Sequence, residues 1–527
     1  MTLEILLPLH RPSPRHLHST LKSIRLQTQA ASRIFVAHDA QESAKTLAAL
    51  KASGLPIETL ALQHWPGIGP ALDQLLEASS AGWLILLEQH DELSPAAVAS
   101  LTSRVNIYKD AAVFYADECE IDQEGRKTAY VARPSWSPTY LRGAAEIAAP
   151  FAVSREFCNR IGGFGTAPDS AFRFDFMLRA SEASHRIPHI PQPLYLRRKL
   201  QRPGFPADLR DSLDAHLRRS GYSWQTDLLP SGRPVPGPGA AGPQPSVSVI
   251  VWHGRAEYEL PLATTLASTS YPNLEVVTVG APARGSGYSD LDGIHLKVVD
   301  ESPTSWSSAG NIGAKHAHGD ILLFADETLA ATDPAWLQRL VMNFEDAGVG
   351  AVGPALLRPD GRVYNLGFVI DRNGEPAPIL SGCEGRSEGY LGALACDREV
   401  SAVSGKALCV RRSLFERLSG FRQHYLSSYA DVDFCLRLRG FQSRVISSAR
   451  PRMTVHERSH RLKGLVWDRA LFRDTWRQQF KDGDPFYSDA LSDAMFDFSL
   501  KPDIMALIEG VRPEAQTTKA RPRRGLR

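Results

Sequence analysis

Hydrophobic positions along the 527-residue chain fall into two successive sets with the same order. Leu3 to Leu7 reads as an opening strand, and Val247 to Val251, alternating with Ser248, opens the second set in the same way. Leu17, Leu21 and Ile24 then recur at helix spacing, as Leu260, Leu262 and Leu266 do less regularly. A second strand follows in each set, Arg33 to Ala37 and Leu274 to Val279. The apolar runs within Gly82 to Leu93 and Gly319 to Leu329 both end in acidic residues. Val153 to Phe164 matches Val410 to Phe421, and each is followed by a helix carrying Asp-Phe-x-Leu-Arg. Strands alternating with helices, with polar residues just past the strand ends, predict an α/β domain present twice. Its sites are expected at the carboxyl edge of a mainly parallel sheet.

Between the two sets stands GRPVPGPGAAGPQP, residues 232–245, with little to bury and a composition suited to neither helix nor sheet. It divides the chain into an expected first domain, 1–231, and a second, 246–508. The length fits this division, because single hydrophobic cores stop growing beyond roughly 250–300 residues. Residues 509–527, which contain KARPRRGLR, are expected to be a solvated basic tail.

The balance of 43% hydrophobic and 22% charged residues is that of a globular protein, and a formal net charge of +2 supplies no overall drive toward nucleic acid. Six cysteines form no CxxC pair and no zinc-spaced cluster with histidine, which points to a reducing cytoplasm. The opening MTLEILLPLHRP reads as a strand and not as a signal peptide. With no stretch approaching 18 apolar residues, any membrane contact is expected to be peripheral.

Carboxylates beyond an apolar strand are suited to holding Mg²⁺ or Mn²⁺ against a diphosphate. The candidates are Asp326 and Glu327 in the second half, and Glu88, His90 and Asp91 in the first; solvated turns account for the same residues. Asp431 begins a helix, where the dipole and capping favour an acid; the functional alternative is a general base. In FRFDFMLRA, residues 172–180, its counterpart is Arg173, whereas Asp433 recurs as Asp175. Asp433 and Arg437 therefore read as architectural, and position 431 as the place where function varies. His456 opens a polar stretch, HERSHR, that could meet a metal or a diphosphate. Asn311 and Gly313 read as a polar helix start, a nucleotide contact or simply a cap.

The chain resembles the family 2 inverting glycosyltransferases, particularly the tandem-domain bacterial type of O-antigen and surface-polysaccharide synthesis. The resemblance rests on VSVIVWHGRAEY, NIGAKHAHGDILLFADE, VSAVSGKALCVRRSLFERLSGF and YADVDFCLRLRGF in the second half, with YADECEID and VSREFCNRIGGF in the first. It implies two tandem GT-A domains of the Rossmann-like nucleotide-diphospho-sugar transferase class, a nucleoside-diphosphate sugar donor, a divalent cation (Mg or Mn), and single-displacement transfer with inversion. It further implies that Asp431 is the catalytic base, that Glu327 and Asp326 are the last and middle positions of a DxD metal motif, and that His456 lies near the metal and diphosphate. Asn311 falls on the donor side and Asp39 on an acid facing the nucleotide base, while Glu88 and His90 take the DxD positions of the first half. The departures are Ala325 at the first DxD acid, Gly280 where an acid should face the base, and Arg173 in place of the first-half catalytic base. An Arg cannot accept a proton.

The expected activity is hexosyl or deoxyhexosyl transfer to a glycan, lipid-linked or protein acceptor, with the second half as the better candidate for catalysis. The alternative is an inactive tandem scaffold that binds a glycan or a partner. A nucleotidyltransferase is disfavoured, because LPLHRPSP after the first strand is no Gly-rich, Lys-containing phosphate loop.

Overall fold

The computed structural model describes residues 2–42, 44–184, 186–199, 205–240, 242, 244–253, 261–280, 287–288, 291, 293–456 and 466–509. Leu260, the residues after His456 in HERSHR, and the basic tail from 510 on lie outside the described residues.

Each half is built on one mixed sheet. In the first, Ile57–Leu62, Arg33–Asp39, Leu3–Leu9 and Trp83–Leu86 lie side by side and parallel. Ala152–Ser154 then pairs antiparallel, and Val113–Ile121 and His189–Arg198 form a parallel pair beyond it. The second half repeats the order with His295–Val299, Leu274–Val279, Val247–Trp252, Ile321–Ala325, antiparallel Ala407–Arg411, and the parallel pair Val349–Leu357 and Arg444–Val455. The same strand order in both halves is the duplicated α/β domain that the sequence predicts. The central strands are buried on both faces, as parallel strands covered by helices must be; Leu3–Leu9 is buried at every position.

The Asp-Phe-x-Leu-Arg helices are Phe172–Ala183 and Ala430–Gly440. In each, the Arg of that motif clamps the preceding Gly-Phe turn. Arg437 Nε donates to Asp433 Oδ2 at 2.8 Å while its other nitrogens donate to the carbonyls of Leu418 and Gly420. Arg179 does the same with Asp175 at 2.9 Å and with Ile161, Gly163 and Phe164. Asp433 is fully buried and also accepts from Arg422 and from the Trp476 indole, each at 3.1 Å. Its charge is thus surrounded by donors, which is what a buried carboxylate requires.

The Gly/Pro segment departs from expectation. Pro234–Gly237 forms a two-stranded antiparallel ribbon with Gln225–Leu228, and Val235 is 1% exposed. Proline's fixed φ suits extended chain, and a ribbon edge does not need every N–H. Beside it, buried Arg233 donates to Glu146 of the first half and Glu388 of the second, both at 2.8 Å. The segment joins the halves instead of merely spacing them.

The halves pack directly. Tyr140 donates to the Leu391 carbonyl at 3.0 Å, and Tyr390 donates back to Ala132 at 2.9 Å. Glu399 accepts from the Ser137 hydroxyl and from the Thr139 amide at 3.0 Å. Asp346 receives Arg142 at 3.1 Å, together with Arg444. One apolar cluster runs through the contact, from Tyr140, Trp224 and Val235 to Met342, Leu394 and Cys396.

Candidate functional site

Asp431 sits in the first turn of the Ala430–Gly440 helix, and the residue before that helix, Tyr429, has φ +72°. A left-handed tyrosine is strained and persists only where its surroundings hold it. Its ring stacks on Phe472 at 4.9 Å, and its hydroxyl donates to Glu375 at 3.4 Å. The sharp entry turns the Asp431 carboxylate toward the loop before Ala407–Arg411, where Oδ2 accepts the Gly405 N–H at 2.7 Å. Oδ1 accepts the Val432 N–H at 2.9 Å. Only glycine fits at 405, since an added Cβ would lie 2.7 Å from the Trp306 ring and 3.0 Å from Asp431 Cβ. Burial pushes the Asp431 carboxyl up from its ordinary value, against those two amides and the charge of Lys406. A half-buried carboxylate with raised proton affinity is a competent general base.

Lys406 follows Gly405 directly. Its ammonium lies 3.1 Å from Asp326 Oδ2, and its carbonyl accepts the Asp326 N–H at 2.8 Å. Asp326 Oδ1 accepts from the Thr328 amide at 3.0 Å and hydroxyl at 2.6 Å. Burial would raise the Asp326 carboxyl, but the Lys406 charge and the Thr328 bonds outweigh it and hold it below the usual range. Glu327 is turned to the Nδ1 of His253, at the end of the Val247–Trp252 strand. His456 follows the Arg444–Val455 strand and donates its backbone N–H to the Thr328 carbonyl at 2.9 Å, so the chain at 456 passes the acid corner. Lys406, Gly405, Trp306 and His253 were not singled out from the sequence; a lysine at the start of the apolar run ALCV was the available signal.

In the first half Arg173 takes the helix position of Asp431 and reaches the acids at the strand end. Its Nη2 is 2.5 Å from Glu88 Oε1 and 3.3 Å from Asp91 Oδ2, with the guanidinium 5.7 Å from the Tyr195 ring centroid. Burial, then the Glu88 charge, raises the Asp91 carboxyl, and Arg173 opposes both. His90 lies 3.0 Å from the Gln89 amide nitrogen, edge-on to His16, and burial lowers its proton affinity. Asp39 ends its strand half-buried and caps a turn by accepting the Gln41 N–H at 2.9 Å.

One expectation needs correction. Asn311 lies midway along the Trp306–His316 helix, whose cap is Ser305, so it is no helix start. Its amide bonds Phe421, donating to the carbonyl and accepting the N–H at 2.8 Å each, which makes it a brace for the Gly-Phe turn. Asp73 braces Phe164 in the first half in the same way, at 2.6 Å. Gly280, which departs from the acid that the resemblance implies there, has φ +92°, and an added Cβ would lie 2.9 Å from the His253 carbonyl oxygen. The backbone there excludes a side chain.

A divalent cation at either corner would draw on carboxylates that already have partners. Asp326 is committed to Lys406 and Thr328, Glu327 to His253, and Glu88 and Asp91 to Arg173, while Ala325 offers no ligand. Among the described residues no three His, Cys, Asp or Glu side chains come together as a metal site. At both corners these described carboxylates are paired with basic side chains, which a hard cation would have to displace.

No family model matches the chain. It is 28% identical over 523 residues to the O-antigen biosynthesis protein RfbC of Myxococcus xanthus, a match that covers 95% of this chain and 41% of that one. The chain is similar to an O-antigen biosynthesis protein along nearly its whole length. An uncharacterized protein, y4gI of Sinorhizobium fredii (strain NBRC 101917 / NGR234), is 25% identical over 94% of this chain and 58% of its own. The chain thus spans less than two thirds of either relative. Among solved structures, S. aureus TarS matches at TM-score 0.35 and 12% identity, over 42% of this chain and 39% of that one. The mannosyltransferase PcManGT from Pyrobaculum calidifontis, in complex with GDP-Man and Mn2+, matches at TM-score 0.34 and 20% identity, over 48% and 69%. No helix among the described residues is long and apolar enough to cross a membrane.

Proposed function

We propose that the chain is a glycosyltransferase of bacterial surface-polysaccharide synthesis, moving a sugar from a nucleoside-diphosphate donor to a glycan, lipid-linked or protein acceptor with inversion in its second half. The observation that carries this reading is the Asp431 carboxylate, held by the Gly405 amide at 2.7 Å beside the Lys406–Asp326 corner at the carboxyl edge of the sheet. An acceptor hydroxyl gives its proton to Asp431 as its oxygen bonds to the anomeric carbon. The bond from that carbon to the diphosphate breaks on the opposite face, and the nucleoside diphosphate leaves. Burial raises the basicity of Asp431, which favours this transfer near neutral pH. The similarity to a protein named for O-antigen biosynthesis supports the pathway class.

Purified protein screened with UDP-, GDP- and dTDP-sugars and bacterial glycan acceptors should release nucleotide with at least one donor. The second reading, a tandem scaffold without transfer, is favoured by Arg173 occupying the first-half acid corner and by Ala325. Calorimetry that finds no binding of any donor would favour the scaffold.

A further inference from the structure

We propose that both halves hold a cation of their own at the acid corner in place of a divalent metal, Arg173 in the first and Lys406 in the second, and that Lys406 is the charge that meets the donor diphosphate. The second clause rests on the glycosyltransferase reading; the first does not.

The two halves reach the same end from different elements. Arg173 comes from the helix, at the position of Asp431, and bridges Glu88 and Asp91. Lys406 comes from the loop before Ala407–Arg411 and pairs with Asp326. Repetition of the outcome without repetition of the residue argues that the charge matters at this place. A guanidinium is permanently charged, so the first corner keeps its cation at every working pH. Lys406 is mostly buried, and a positive charge in such a place acts more strongly on a nearby phosphate than it would in water.

Gly405 and Lys406 also tie the cation to the base, because consecutive residues carry the N–H that holds Asp431 and the ammonium that pairs with Asp326. Asp326 then changes role, from metal ligand to a positioning residue for Lys406. A fixed cation built into the loop carries charge to the leaving group without metal exchange.

The test uses the full chain and two independent arms. Mn²⁺ titration followed by electron paramagnetic resonance should show no saturable site. UDP, GDP and dTDP are titrated by calorimetry with EDTA and again with Mn²⁺; at least one should bind, with equal affinity in both buffers. Lys406→Ala should weaken that nucleotide by about tenfold or more, and Lys406→Arg should restore most of the loss. Circular dichroism of both variants checks that the effect is not unfolding. A stoichiometric Mn²⁺ site in the wild type, or binding that vanishes in EDTA and returns with Mn²⁺, overturns the proposal. Unchanged affinity in folded Lys406→Ala overturns the role of Lys406. If no nucleotide binds in either buffer, the donor-site reading and that role fall together, while the Mn²⁺ arm still decides whether the corners take a metal.

Discussion

Arg173 Nη2 lies 2.5 Å from Glu88 Oε1, at the helix position where the second half carries Asp431. The proposed proton acceptor of one copy is replaced in the other by a carboxylate's partner. Replacing Arg173 with Ala leaves Glu88 and the buried Asp91 facing each other without compensation, and should cost about 3 kcal/mol or more in urea unfolding. A change below about 0.5 kcal/mol, the usual size for exposed surface sites, would show that the pair is merely superficial.

Asp433 is fully buried among Arg437, Arg422 and Trp476. Asp433→Ala strands those donors and releases the clamp on the Gly420–Phe421 turn, so a destabilisation of about 3–5 kcal/mol is expected from denaturant melts. Wild-type stability in that variant would refute the framework role.

Asn311→Ala should cost about 1–3 kcal/mol through the lost bonds to Phe421, with donor affinity unchanged by calorimetry. A large loss of donor affinity in a protein of normal stability would return Asn311 to the donor site.

Asp346 joins the halves through Arg142 and Arg444. Burial would raise its carboxyl, but the Arg444 and Arg142 charges outweigh that and hold it far below the ordinary 3.8. A depressed carboxyl contributes stability that is complete above the unfolded value and is lost as pH falls through the folded one. Unfolding free energy measured downward from pH 5 should therefore drop below about pH 4, and Asp346→Asn should be less stable at pH 7 with a shallower acid slope. Identical slopes in the two proteins would remove Asp346 from the acid response.

The duplicated α/β order was legible because strand and helix periodicity, and the pairing of DFxLR with GF, repeat in sequence. The roles of Asp433 and Arg437 were legible for the same reason: a pair that recurs in both copies belongs to what the copies share. The acids of the corners were legible but their pairing with cations was not, because an ion pair such as Lys406–Asp326 joins residues 80 positions apart, and spacing carries no trace of it. Asn311 misled because a polar residue near Gly313 reads as a helix start until the cap at Ser305 and its own partner, the Phe421 backbone, are known. The Pro-rich segment misled because composition reports the absence of helix, while extended chain tolerates proline.

The central claim is that Asp431 takes the acceptor's proton. Nucleotide release by Asp431→Asn, measured with the donor and acceptor that the screen identifies, tests it most directly. The expected result is a fall in kcat of about a hundredfold or more with an unchanged unfolding midpoint, as loss of a general base requires. Turnover within a few-fold of wild type in the folded variant would contradict the account.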